Sequence, residues 1–288
     1  KQINKDILHL AIPSIVANVT VPLLGLVDLS IVGHMGSERY IAAVAVGSMI
    51  FNVMYWLMGF LRMSTSGLTA QLFGRQTAGL STDFSPIVVL LLRSLLTAMA
   101  IGLCFVFAQW PLRWVGIELM HPDQSIVGLV QTYFNICIWG APAVLGLYVL
   151  TGWFIGLQNT RVAMIVSVSQ NVFNIVVSLV LVYGFGMKIE GVALGTMLAQ
   201  WAGFILALFY VEKTAGWQRL RQGVSLFNQG KSLGEQGVRG NLLSLNLAFF
   251  FRTVCLVAVN LFFTAMGARQ GNLMLSVNTL LMTFFFRR

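Results

Sequence analysis

The sequence predicts an all-α integral membrane protein: one complete six-helix lobe followed by the first two helices of a second lobe that enters the membrane in the same orientation. Three observations carry this prediction. Of 288 residues, 57% are hydrophobic and only 9% charged, against about 25% charged in a soluble domain. The apolar residues gather into stretches long enough for a helix to cross a hydrocarbon layer of about 30 Å. The net charge of +9 comes from few acids rather than from a basic stripe, which points to loops on a cytoplasmic leaflet and not to nucleic acid.

In chain order the apolar runs cover roughly 7–33, 41–73, 86–110, 126–156, 162–186, 190–212, 242–266 and 271–286. The first is too long for a signal peptide and is not followed by a soluble domain, so it counts as a span. With the N-terminus cytoplasmic, Lys1, Lys5, Arg75, Arg161, Lys213, Arg219, Arg221, Lys231 and Arg239 fall on the inner side, and only Arg39, Arg113, Lys188 and Arg269 on the outer. The positive-inside rule favours that orientation and a multi-pass inner (plasma) membrane protein. The segment 213–240 is polar and glycine-rich, and reads as a cytoplasmic linker between a first lobe, 1–212, and the start of a second, 241–288. A shift of 231 residues lays Met35-Gly36 on Met266-Gly267, Val46 on Val277 and Ala17 on Ala248. The matched helix lengths fit parallel repeats, and imply a second lobe cut short within its second helix.

Cys104, Cys137 and Cys255 lie singly in apolar runs, so neither a disulfide framework nor a zinc site is supported. No H-E-x-x-H, G-x-S-x-G, Walker or C-x-x-C motif is present, which excludes those enzyme classes and ATP-driven transport. No metal or organic cofactor is expected, only a transported ion.

Eight of the nine acids, Asp6, Glu38, Asp83, Glu118, Asp123, Glu190, Glu212 and Glu235, fall at span ends or in loops. Asp28 does not. It lies inside the first span, where an ionised carboxylate is costly and must face a bundle interior or a wet cavity, as a proton or cation site does; the alternative is a cap near the outer headgroups. Pro13 and Pro22 each remove a backbone hydrogen bond from that helix and Gly25 lets a neighbour approach, so it can bend between states or carry a fixed kink.

On the fifth span Asn171, Asn174 and Ser178 share one helical face, next to Gln170, and Thr196 and Gln200 form a second polar ridge on the sixth. Such residues either glue helices together or line a pocket with Asp28. The pairs Gly152/Gly156 and Gly191/Gly195 have the small-xxx-small spacing of close helix contacts. Arg252, mid-way along the seventh span, could hold an anion or pair with an acid, with snorkelling or a carbonyl partner as the competing reading. Arg62 in the second span reads as a snorkelling charge.

The runs AIPSI (11–15), VPLLGLVD (21–28), IVGHM (31–35), AVG (45–47), FLRMSTSG (60–67), LTAQ (68–71) and GVALGTMLAQ (191–200) resemble the multidrug and toxic compound extrusion (MATE) family, in its DinF-like branch. The resemblance implies twelve helices in two lobes, alternating access, and export of amphipathic, often cationic compounds in exchange for protons or sodium. It also implies a first-lobe cation site built from an aspartate on the first helix, an Asn-x-x-x-Asp pair on the fifth and a threonine on the sixth. Asp28, Asn174 and Thr196 match; Ser178 stands where the second acid belongs, which weakens the case for sodium.

The reading is therefore a secondary, proton-coupled multidrug exporter in a lipid bilayer, monomeric, with Asp28 as proton carrier. Two alternatives share the architecture. One is a sodium-coupled drug antiporter. The other is a flippase for lipid-linked precursors, which would want several cationic residues in its cavity where only Arg62 and Arg93 are near.

Overall fold

The computed structural model describes residues 30–33, 38–79, 83–228, 247–252 and 254–256, with residues 12, 15 and 259 singly. The chain separates into two compact units, 1–238 and 239–288. In the first, the described elements are α1 (Glu38–Leu57), α2 (Phe60–Thr77), α3 (Ser85–Phe107), α4 (Gln109–Met120), α5 (Val127–Cys137), a 3-10 turn (Ile138–Gly140), α6 (Ala141–Gly156), α7 (Thr160–Leu179), a π turn (Val180–Gly184), α8 (Ile189–Ala215) and α9 (Trp217–Asn228). The second unit shows an apolar helix, α10, over Leu247–Leu256. Among the described residues there is no strand.

Five helical stretches are long and apolar enough to cross a membrane: Glu38–Thr77, Ser85–Phe107, Val127–Gly156, Thr160–Gly184 and Ile189–Ala215. They correspond to the second to sixth expected spans. The first span is described only at residues 12, 15 and 30–33, and the eighth lies outside the described residues.

Local chemistry sets most boundaries. The Ser85 amide donates to Asp83 Oδ1 at 2.9 Å ahead of α3, and Pro86 occupies the first turn, where its missing N–H costs nothing. Pro111 cannot donate to Phe107, so α3 stops there and the chain restarts as α4. Before α5 the Ser125 amide donates to Asp123 Oδ1 at 2.8 Å. Asp123 lies outside the spans, and that backbone hydrogen bond, with a second from the Ser125 side chain, holds its carboxyl below the usual range. Pro142 withholds a donor from the Ile138 carbonyl, and the Ala141 amide takes that carbonyl instead in the 3-10 turn that breaks the fourth span. Gly102 on α3 fits against the break: a Cβ there would stand 2.9 Å from the Pro142 nitrogen. Gly216, at φ +79, ends α8.

α6 is the hub. Every residue of it except Tyr148, Thr151 and Ile155 is buried, as expected of a helix apolar all round, and it packs against α2, α3 and α8. Trp153 and Phe154 are fully buried and meet edge to face at 5.2 Å. On α1 and α5, Phe51 stacks on Phe134 at 4.9 Å in a second part of the core. That cluster also takes in Ile31, Val32, Val182, Ile189, Val192 and Ala193.

α7 is inside out. Its buried residues include Asn171, Asn174 and Ser178, while Val172, Phe173 and Val176 are exposed. In water that arrangement would be unstable; in hydrocarbon it is the favoured one, because lipid accepts the apolar face and the polar groups must find partners inside.

Two helices were not anticipated. α4 follows the third span directly and buries none of its residues, and the Arg113 guanidinium, 5.5 Å from the Trp110 ring, donates to Asn135 Oδ1 of α5 at 2.8 Å. α9 occupies the start of the segment read as linker and packs on α3.

Candidate functional site

α7 and α8 run antiparallel, and their facing polar residues form one connected chain. Ser178 Oγ donates to Asn174 Oδ1 at 3.3 Å, Asn174 Nδ2 donates to Thr196 Oγ1 at 3.3 Å, and Thr196 Oγ1 donates to the Val192 carbonyl at 3.0 Å. Ser178 and Asn174 are 0% and 2% exposed. The helices approach closely here because Gly195 faces Ser178, whose backbone nitrogen and Cα would lie 3.1 Å from any Cβ at that position. The predicted Asn174, Ser178 and Thr196 are thus brought together at hydrogen-bonding range.

One turn along in the same direction on each helix, Asn171 Nδ2 and Gln200 Oε1 are buried without a hydrogen-bond partner. The first is an unmet donor and the second an unmet acceptor. Gln170, beside Asn171, packs against Gly203 of α8. Gln200 Oε1 packs against Gly140 of the 3-10 turn. Buried amide groups are nearly always satisfied, so each unmet atom marks a place where another group can be received. Among the further buried atoms without partners, which include Thr69 Oγ1, Arg93 Nη1 and Ser94 Oγ, two belong to aromatic residues, Tyr55 Oη on α1 and Trp153 Nε1 on α6. Sequence reasoning passed over them because aromatic residues at helical spacing in an apolar run read as plain core.

Asp28, Pro13, Pro22 and Gly25 lie outside the described residues. Arg62 stands at the start of α2 with its side chain exposed, and its backbone carbonyl packs against Gly152 of α6. Arg252 is exposed on α10, in the second unit. No group of three or more metal-ligating side chains occurs among the described residues.

The chemistry open to this seam is that of neutral groups. Thr196 Oγ1 both accepts and donates, and Asn174 Oδ1 already accepts once, so little acceptor capacity is left to wrap a bare hard cation, which wants several oxygens. The chain is ready instead to orient one further group. Asn174→Ala is expected to cut two links and leave Ser178 and Thr196 without these partners, lowering stability by about 1–2 kcal/mol. Ser178→Ala, which removes a single donor, should cost about 0.6 kcal/mol, the average for interhelical bonds in a bilayer. Thermal unfolding of both variants in detergent checks the order; equal losses would mean that the chain does not run through Asn174.

Comparison with known proteins completes the picture. The pattern of the MatE family matches residues 13–180. The chain belongs to this family. DNA damage-inducible protein F of Escherichia coli (strain K12) is 35% identical to it over 283 residues, covering 97% of this chain and 58% of that protein. Multidrug resistance protein PmpM of Pseudomonas aeruginosa is 31% identical over 215 residues, covering 73% of this chain and 44% of that protein. The MatE chain therefore spans about half the length of these curated relatives. Among solved structures, a MOP superfamily transporter from Pyrococcus furiosus, described for the reverse polarity of its binding pocket, superposes with a TM-score of 0.74 at 20% identity, covering 98% of this chain and 60% of that one. This last likeness shows the fold. The MatE chain is accordingly an all-α, multi-pass membrane protein of a transporter family, and not an enzyme.

Proposed function

We propose that the protein is a secondary multidrug exporter that exchanges amphipathic, cationic compounds for protons by alternating access, with Asp28 as the proton carrier. In this reading residues 1–212 form the first lobe, 213–240 the cytoplasmic connection and 241–288 the opening of the second lobe. The observation that carries it is the buried seam between α7 and α8, where Asn174, Ser178 and Thr196 satisfy one another and Asn171, one turn along α7, offers an unmet donor. A carboxylate received beside Asn171 accepts a hydrogen bond from the amide N–H when ionised, which helps to hold the charged form of a proton carrier inside the membrane.

Support for Asp28 as that carboxylate comes from the end of the first span. Ile31 and Val32, about one turn after it in sequence, are buried in the same cluster as Val192 and Ala193, about one turn before Thr196. The names of the multidrug resistance relatives support the substrate class.

Sodium coupling is the rival. Ser178, in place of the second acid, leaves the seam one charge short of a two-carboxylate site. Vesicles carrying the protein should export a fluorescent amphipathic cation when a proton gradient is imposed, and be indifferent to a sodium gradient at fixed pH. Efflux that follows sodium and ignores protons would overturn the proposal. Ser178→Asp, which restores the missing carboxylate, is expected to confer sodium dependence on that efflux, read in the same vesicles.

A further inference from the structure

We infer that α9 is an interfacial helix that binds the anionic phospholipid headgroups of the leaflet at which α8 ends and α3 begins. The reading rests on the chain lying in a bilayer and is independent of the coupling ion.

The sequence of α9 supplies the first part of the argument. At about 100° per residue, Gly223, Phe227, Leu220, Val224 and Trp217 fall in one sector of roughly 120°, with Arg221 just beyond one edge and Arg219 just beyond the other. That is the design of a helix lying in a membrane surface: an apolar sector toward the acyl chains, with cations flanking it at headgroup level.

The packing supplies the second part. Only one edge of the sector is used by the protein. Gly223 is buried against α3, where a Cβ would stand 2.6 Å from that of Val88. The other edge, Trp217 and Val224, is 61% and 42% exposed. Val88 lies in the first turn of α3, so the contact fixes α9 at the depth where the third span enters the bilayer, and the uncovered edge lies at the boundary between headgroups and acyl chains.

Charge supplies the third. Lys213, Arg219 and Arg221 are all exposed, and each stands near an aromatic ring: Lys213 at 6.0 Å from Tyr210, Arg219 at 5.2 Å from Phe84 and Arg221 at 6.0 Å from Trp217. The rings position the cations while leaving donors free for phosphate oxygens. On this face of the first unit the described charges are Arg75, Arg161, Lys213, Arg219 and Arg221 against Asp83 and Glu212; on the opposite face Arg39, Arg113 and Lys188 meet Glu38, Glu118, Asp123 and Glu190. The excess of positive charge is thus on the side where α9 lies.

Two measurements test the inference. In a protein with Cys104, Cys137 and Cys255 replaced by Ala, a fluorophore on Val224→Cys should be quenched by lipids carrying a nitroxide just below the headgroup, and little by aqueous iodide. Separately, native mass spectrometry of the detergent-solubilised protein should show phosphatidylglycerol bound in preference to phosphatidylcholine. The triple variant Lys213→Gln/Arg219→Gln/Arg221→Gln should lose that preference by roughly fivefold per cation removed, equivalent to about 1 kcal/mol each. An undiminished preference in the triple variant, or a label at position 224 open to iodide, would overturn the inference. So would inorganic phosphate competing as well as the lipid, which would mark a soluble-anion site. A dimer that dissociates when Val224 is changed would instead assign the face to a second copy of the chain.

Discussion

Asp28→Asn is expected to reduce proton-driven efflux to the level of protein-free vesicles while the variant folds and inserts like the parent. The argument is a count of charges that can change inside the membrane. Of the described acids, Glu38 and Glu190 lie in the first turns of α1 and α8, Asp83 and Asp123 accept backbone N–H groups just ahead of α3 and α5, Glu118 lies on exposed α4, and Glu212 lies near the end of α8. Each sits where water or headgroups solvate it, and titrating it moves no charge through the protein. Asp28 alone has a sequence position well inside a span.

A gradient of one pH unit supplies about 1.4 kcal/mol per proton, and that energy reaches the substrate only through a group that is protonated on one side and deprotonated on the other. Asparagine matches aspartate in shape and keeps a hydrogen-bonding oxygen, so it can take the place proposed for Asp28 yet never ionise. In the proposed cycle the ionised form attracts the cationic compound from the inside. Protonation from the outside removes that attraction, the first helix bends about Pro13 and Pro22, and the compound leaves. The neutral variant lacks the attraction in both states, so binding of the cation should weaken along with the loss of coupling. Wild-type efflux rates in Asp28→Asn vesicles, measured under the same proton gradient, would show that the carrier lies elsewhere.

The parts of the molecule legible in the sequence are those where lipid imposes a rule. α7 is the clearest: Asn171, Asn174 and Ser178 recur at three and four residues within an apolar run, and in hydrocarbon that pattern has one stable answer, polar face inward. The glycine pairs were legible for the same reason, since backbone approach is what packs helices where no hydrophobic force acts between them. What was hidden depends on one element meeting another. The breaks at Met58–Gly59 and at Ile138–Gly140 leave the spans apolar and so leave no gap in a hydropathy reading. α9 was concealed by its own glycines: Gly216 and Gly223 read as linker, whereas Gly216 ends α8 and Gly223 is the contact point with Val88. The unmet atoms of Asn171 and Gln200 could not be foreseen, because a sequence shows which groups are polar but not which find partners.

The second large effect is expected at Gly152. Its position on α6 faces the backbone of α2, and a Cβ would stand 2.6 Å from the Arg62 carbonyl oxygen and 3.3 Å from its Cα. Neither atom belongs to a flexible side chain, so the two helices must move apart as rigid bodies. One turn on, a Cβ at Gly156 would lie 2.8 Å from the Ser66 carbonyl and 2.5 Å from Thr69 Cβ, which leaves no room to relieve the strain by sliding. Overpacking of this kind costs about 1–3 kcal/mol for a single methyl group, and it falls on the seam between α2 and the most buried helix of the first unit. Gly152→Ala should therefore lower the thermal midpoint of the purified protein in detergent by several degrees, roughly 2–4 °C per kcal/mol, and Gly152→Val by more. Gly67 is the matching control on the other face of α2: nothing lies within 4 Å of its would-be Cβ, so Gly67→Ala should gain up to about 1 kcal/mol of helix propensity and raise the midpoint or leave it unchanged. If the two alanine variants moved together, α2 and α6 would not be in backbone contact, and the glycine spacing on α6 would have no packing role.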